Sequence, residues 1–138
     1  MSGNNKAEFM RRFVEFINSA SEKLAHELVS PDAIFHVPGR LEPMVGPAGY
    51  LMIVGMMREG FPDIQWTVEE LISEGDKVAA RFTMRGTHRG QFMGVPPTEK
   101  PITVQALNIY HLKNGQIVKE FGAPDMLGLL AQIGALPI

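Results

Sequence analysis

Few residues in this chain are placed to do chemistry. The candidates are a carboxylate late in the sequence, Asp125, and four histidines, His26, His36, His88 and His111. Asp125 is a lone carboxylate between Gly122-Ala123-Pro124 and an apolar stretch carrying Met126, Leu127, Leu129 and Leu130. A carboxylate in that setting has two readings. It can cap the following helix, accepting backbone N–H groups and keeping its charge. It can also carry a proton in an apolar pocket, where desolvation favours the neutral acid. One residue can fill both roles.

Among the histidines, His36 alternates with Ile34 in a short strand, Ala33 to Val37, and is either an inward-pointing group or a hydrogen-bonded edge residue. His111 shares its parity with Thr103, Gln105, Leu107 and Ile109. His88 ends a strand and fits turn chemistry, and His26 lies among charged helix neighbours. No HxH, HxxxH or HExxH spacing occurs, and there are no cysteines, so a metal site is not expected. Gly-x-Ser-x-Gly, Walker and GxGxxG motifs are also missing, so serine acyl transfer, phosphoryl transfer and nicotinamide chemistry lack their apparatus. Proton transfer on a bound organic molecule, or binding alone, is what the residues leave open.

The elements that position these groups follow from hydrophobic periodicity. Phe9, Phe13, Phe16 or Ile17, and Ala20 form one helical stripe. Ser19 with Glu22 offers a capping box for a second short helix through Leu24 and Leu28, which Ser30-Pro31-Asp32 ends. A Pro/Gly-rich loop to Gly49 and a third helix over Tyr50 to Glu59 come next. From Ile64 the period changes to two, and strands run to Ile72, from Val78 to Met84, over Ile102 to Leu112 and over Gln116 to Ala123. Turns at Glu74-Gly75-Asp76 and at Asn114-Gly115 make hairpins, and a long loop spans Arg89 to Pro101. A short helix, Met126 to Ile133, ends at Gly134 and Pro137. Helices before strands indicate a single α+β domain over residues 1–138, its helices packed on one face of a strongly curved, mostly antiparallel sheet.

Composition agrees with that picture. The chain has 138 residues, 45% apolar and 20% charged, with a formal net charge of -2 and no basic stripe, so neither nucleic acid nor a membrane surface is expected as a partner. Nine methionines and eight phenylalanines suit an adaptable pocket for a hydrophobic small molecule, and equally an ordinary core. No signal-like apolar run opens the chain, which makes a cytoplasmic location the default. Apolar residues on both faces of one strand, Leu107 and Ile109 against Tyr110 and Leu112, point to a homodimer through the exposed sheet face.

Several segments together resemble a known family. They are Pro31-Asp32-Ala33-Ile34-Phe35-His36, Phe61-Pro62-Asp63-Ile64, Glu74-Gly75-Asp76-Lys77-Val78-Ala79, Arg85-Gly86-Thr87-His88-Arg89-Gly90, Phe92-Met93-Gly94-Val95-Pro96-Pro97-Thr98, and Asn114-Gly115-Gln116-Ile117-Val118 through Asp125. This pattern is similar to the SnoaL-like polyketide cyclases of the NTF2-like superfamily, whose folds are cone-shaped. The resemblance implies a cofactor-independent intramolecular aldol condensation, a lyase- or isomerase-type reaction. It casts Asp125 as acid/base, His111 as a partner that holds the substrate, and polar groups near His36 as further contacts. Candidate substrate-binding side chains are then His36, Trp66, His88, Gln105 and Phe121. Thr98-Glu99-Lys100 departs from a common Thr-Gly-Lys, and Phe121 stands where a tryptophan is frequent, which bears on the substrate rather than the fold. The contrasting expectation is a non-catalytic small-molecule binder or dimeric accessory domain in which Asp125 only caps a helix.

Overall fold

The computed structural model describes residues 3–136. Four helices and six strands follow in the order α1 (Gly3–Ser19), α2 (Glu22–Leu28), β1 (Val29–His36), β2 (Met44–Val45), α3 (Gly46–Gly60), β3 (Gln65–Glu74), β4 (Lys77–Thr87), β5 (Pro101–Lys113), β6 (Gln116–Pro124) and α4 (Met126–Gln132). The strands form one sheet in the order β2-β1-β6-β5-β4-β3, antiparallel except where β1 runs parallel to β6. This is the expected α+β architecture. Pro137 lies outside the described residues, so its expected part in ending α4 is not addressed by the structure.

The α1 stripe behaves as its spacing predicts: Phe9, Phe13, Phe16 and Ile17 are all buried. Phe13 is the hub, its ring 5.8 Å from Phe16, 5.4 Å from Tyr50 of α3 and 5.1 Å from Tyr110 of β5. One helix thereby clamps α3 to the middle of the sheet. The cap of α2 differs from the expected box. Ser21, not Ser19, accepts from the Leu24 backbone N–H at 3.2 Å, because Ala20 adopts a left-handed φ of 57° that ends α1 one residue later than the box requires.

Two other boundaries move for identifiable reasons. β1 starts at Val29 and takes in Pro31, which falls inside the irregular stretch between the Val29 and Ile34 pairings, where its missing N–H costs no ladder bond. α3 begins at Gly46, before the expected Tyr50, with Pro47 in its first turn. Gly46 sits at φ +69°, and a Cβ there would lie 2.8 Å from the Pro31 carbonyl oxygen, so the close approach of α3 to β1 requires glycine.

The hairpin signals hold. Asn114 and Gly115 both take positive φ, 53° and 76°, as a two-residue hairpin turn demands. The loop from 88 to 100 is long, as expected, but it is anchored. Phe92 is 1% exposed, packs on Phe61 at 5.2 Å and touches Gly60, while the Gly60 carbonyl accepts from the backbone of Arg89 and Gly90.

Candidate active site

Parity along β5 decides which side chains meet the helices. Ile102, Val104, Ala106, Tyr110 and Leu112 are buried, whereas Thr103, Gln105, Leu107 and Ile109 are exposed. Gln105 and His111 therefore belong to the outer face, away from the helices. His36 and Phe121 join them there. Their rings stack at 4.7 Å with an interplanar angle of 7°, His111 tilts toward Phe121 at 6.3 Å, and Lys119 Nζ sits 5.0 Å over the same ring. Of the two readings of His36, the inward-pointing one does not hold: His36 and Phe121 share an outer-face aromatic cluster. The physical reason is the β1–β6 register, which pairs His36 with Phe121 and places Phe35 beside Glu120 on the inner side.

Asp125 is the N-cap of α4. Its Oδ1 accepts from the Gly128 N–H at 2.8 Å, and its own N–H donates to the Gln105 carbonyl at 2.9 Å. A Cβ at position 128 would lie 2.3 Å from Asp125 Oδ2, so the carboxylate rests across the first turn of the helix over a glycine. The side chain is on the exposed rim. His111 is six residues further along β5 than Gln105, roughly 20 Å of strand, so these two expected partners are not brought together.

His88 and Trp66 serve other parts of the frame. The His88 ring is fully buried, its Nδ1 accepting from the Thr98 backbone N–H at 3.2 Å and lying 2.9 Å from Thr98 Oγ1, which ties the two ends of the 88–100 loop together. That bond puts the ring proton on Nε2, which is buried without a partner. Trp66 lies half-buried in the edge strand β3, where the Asn18 side chain stands in for a missing neighbour strand, its Oδ1 accepting from Trp66 N at 2.8 Å and its Nδ2 donating to Trp66 O at 3.1 Å. Trp66, Met10, Val14, Val68 and Leu71 line an open apolar groove of about 380 Å³ between α1 and β3. Among the described residues, no group of three or more His, Asp or Glu side chains is placed to hold a metal ion.

The inner face holds a polar cluster that the sequence reading missed. Glu120 on β6 is 7% exposed, and its Oε1 is buried with no hydrogen bond. Tyr110, its cross-strand partner, is 1% exposed, and Tyr50 of α3 is 5% exposed. The Tyr50 hydroxyl donates to Glu120 and lies within hydrogen-bond reach of Tyr110. Asn108 Nδ2 donates to the Tyr110 hydroxyl at 3.1 Å, while Asn108 Oδ1 accepts from the Ala123 N–H at 3.0 Å. Burial pushes the Glu120 carboxyl up to about 8, against the opposing effect of the Tyr50 hydrogen bond. Burial, with the neighbouring carboxylate, pushes both tyrosines up as well. Near neutral pH the cluster therefore presents a carboxylic acid rather than a carboxylate.

A family model described as SnoaL-like polyketide cyclase matches residues 7–133, nearly the whole chain. The chain belongs to the SnoaL-like polyketide cyclase family. Among its relatives, nogalonic acid methyl ester cyclase of Streptomyces nogalater is 28% identical over 124 residues, covering 88% of this chain and 91% of the relative. Aklanonic acid methyl ester cyclase DauD of Streptomyces sp. (strain C5) is 27% identical over 134 residues, covering 92% and 80%. The crystal structure of IdmH, a proposed polyketide cyclase from Streptomyces antibioticus, superposes with a TM-score of 0.84 at 34% identity, covering 93% of this chain and 97% of that one. The NTF2-like fold expected from the sequence is the fold observed. In this SnoaL-like chain, the buried carboxyl and hydroxyl groups lie on the helix-covered face of the sheet, and the expected His36, His111 and Gln105 lie on the opposite face.

Proposed function

We propose that this chain is a cyclase that closes a ring of a hydrophobic, carbonyl-rich substrate by proton transfer, without a metal or organic cofactor, in a lyase- or isomerase-type intramolecular aldol reaction. The observation that supports this most is the cluster of Glu120, Tyr50, Tyr110 and Asn108 on an otherwise apolar inner face. A carbon between two carbonyls is already acidic, so a positioned carboxyl group and hydroxyl donors suffice for its chemistry. Family membership and relatives named for cyclising aklanonic and nogalonic acid methyl esters support the same substrate class, an aromatic polyketide with its last ring open.

The test is to incubate the purified chain with either ester in metal-chelated buffer and to follow ring closure by mass-resolved chromatography. Deuterium uptake at the carbon between the carbonyls gives a second readout. Closure or enzyme-dependent exchange supports the reading. If neither occurs with any open-ring aromatic polyketide that the chain binds, the protein is a binder and the reading falls.

The outer face supports a second copy of this chain as partner. Ile72, Ala79, Ile109, Phe121 and His36 form one cross-strand row over five strands, and Ile72, Ile109 and Phe121 are 63%, 43% and 44% exposed. A row of this kind meets its own copy across a two-fold axis and covers the apolar side chains on both.

A further inference from the structure

α1 is fastened to the edge strand β3 near both of its ends and stands off from it in between. Near the start of the helix, the buried Lys6 donates from Nζ to the carbonyl of Gly75, just past the end of β3. Near its finish, the Asn18 amide takes the backbone groups of Trp66. From Lys6 to Asn18 the helix rises about 18 Å. The apolar groove lies within that length, with Met10 and Val14 on the helix side and Trp66, Val68 and Leu71 on the strand side.

The strand side of the groove is also an unused sheet edge. β3 is the last strand in the sheet order, and among the described residues β4 is its one neighbour. In an antiparallel ladder, the residues whose N–H and C=O face away from the neighbour alternate along the strand. Trp66 is one of them, because Asn18 rather than β4 receives its groups, and Val68 is the next. The extra residue between Val68 and Glu70 moves the phase by one, so Leu71 and Ser73 follow. Val68 and Leu71 thus bring to one place an apolar side chain and backbone groups that no strand meets. An apolar groove beside an open sheet edge is the arrangement by which folded domains take up an extended peptide as an added strand.

Charge decides what kind of strand fits. β3 carries Glu69, Glu70 and Glu74, all exposed, and no basic residue. On β4, Arg81 pairs with Glu70 and Lys77 stands opposite Glu74, which leaves Glu69 of the bulge without a counterpart in that register. Arg11, on the rim of the groove, is occupied by Glu8 and Glu15. Any strand laid along β3 meets these carboxylates across the new ladder, where opposite charges stabilise and like charges oppose. Self-pairing of two β3 edges sets glutamate rows side by side, so a second copy of this chain is the wrong occupant.

We propose that the α1–β3 groove is a docking site for an extended segment of another protein in which apolar residues alternate with lysine or arginine. The segment pairs with the backbone of Val68 and Leu71. Its apolar side chains enter the groove over Met10 and Val14, and its basic side chains lie on the other face beside the β3 glutamates. The site shares no residue with the cluster of Glu120, Tyr50, Tyr110 and Asn108, so it stands or falls apart from the cyclase reading.

Trp66 is the single tryptophan of the chain, so its emission reports on the groove directly. The probe is a short synthetic peptide that alternates valine and lysine, capped at both ends and titrated into the full chain at low salt. Expected is a saturable change in Trp66 emission, with binding about tenfold or more weaker when glutamate replaces every lysine. Two further peptides carry N-methyl groups on every valine or on every lysine. An added strand turns one alternate set of its amide hydrogens toward β3, so one of these peptides is expected to lose binding about tenfold or more and the other to keep it within about threefold. Leu71→Lys places a charge at a 38% exposed edge position and is expected to abolish the response without moving the thermal midpoint by more than a few degrees. Equal binding of both methylated peptides overturns the proposal, because side chains alone then make the contact. Equal binding of the lysine and glutamate peptides overturns it too. So does a Trp66 response to anilinonaphthalene sulfonate with none to any peptide, which assigns the groove to small apolar molecules. Trp66 emission that changes with protein concentration alone and is silenced by Leu71→Lys gives the groove to a second copy and equally overturns the proposal.

Discussion

Tyr110 and Glu120 are cross-strand partners on the helix-covered side of the β5–β6 ladder, and both are buried. Their pairing depends on an irregularity. Leu112 pairs with Ile117, but His111 pairs with Lys119, so Val118 is an extra residue on β6. Ile117 and Glu120, three positions apart, consequently both point inward, where simple alternation would turn one of them out. The bulge is what places a carboxyl group in the core beside two tyrosines.

A carboxyl so buried makes stability depend on pH. In the unfolded chain Glu120 releases its proton around 4.5, and in the fold around 8. The folded state binds the extra proton between those values, so stability is fully present below about 4.5 and is lost as pH rises toward 8. The loss is on the order of 5 kcal/mol if no relaxation occurs. Urea unfolding of wild type and Glu120→Gln at pH 5 and pH 9 checks this. The variant is expected to match the wild type within about 1 kcal/mol at pH 5 and to exceed it at pH 9. A wild type equally stable at both pH values, measured against a flat variant, contradicts it.

Much of the fold was legible because its signals are local. The α1 stripe, the Asn114-Gly115 turn and the change of period from helix to strand each follow from a few neighbouring residues. The inner and outer faces were not legible at β6. Counting back from the Asn-Gly turn without a bulge sets Glu120 opposite Ile109 and therefore outward. The same count offers Phe121 as the inward residue. A usable signal was on β5, where Tyr110 shares parity with Ile102, Val104, Ala106 and Leu112, a more apolar set than the one containing His111. Asp125 was legible as a helix cap from Pro124 before it and the apolar run after it.

The 88–100 loop depends on one aromatic anchor. Phe92 fills space between Phe61 and Gly60, and few other side chains of the loop enter the core. Phe92→Ala is expected to cost about 3–4 kcal/mol in chemical denaturation. It should also open this loop to limited proteolysis well before the sheet is cut. A variant as protease-resistant as the wild type would show that the Gly60 carbonyl bonds and the His88–Thr98 tie hold the loop without it.

If the outer-face row joins two copies, a charge in its middle separates them. Ile109 lies at the centre of the row, between Ala79 and Phe121, with its side chain exposed. Ile109→Lys is expected to leave the fold intact, since the residue touches solvent in the single chain, and to halve the mass found by light scattering at micromolar concentration. A wild type that is already monomeric under those conditions removes the dimer proposal.

Asp125 joins β6 to α4 through a backbone bond to Gln105 and a side-chain bond to the Gly128 N–H. Removing the carboxylate leaves an orphan donor at the start of a seven-residue helix. That helix contributes the buried Leu129 to the core and is tied to β5 by Gln132, which accepts from Thr103 N at 2.7 Å and donates to Thr103 O at 3.0 Å. These far-end ties limit the damage, so Asp125→Ala is expected to cost about 1 kcal/mol and Asp125→Asn less, because an asparagine oxygen still accepts the bond. Hydrogen exchange over residues 126–132 is the measurement, with faster exchange in Asp125→Ala and near-native exchange in Asp125→Asn. Equal exchange in all three proteins would mean that Leu129 and Gln132 hold α4 without its cap.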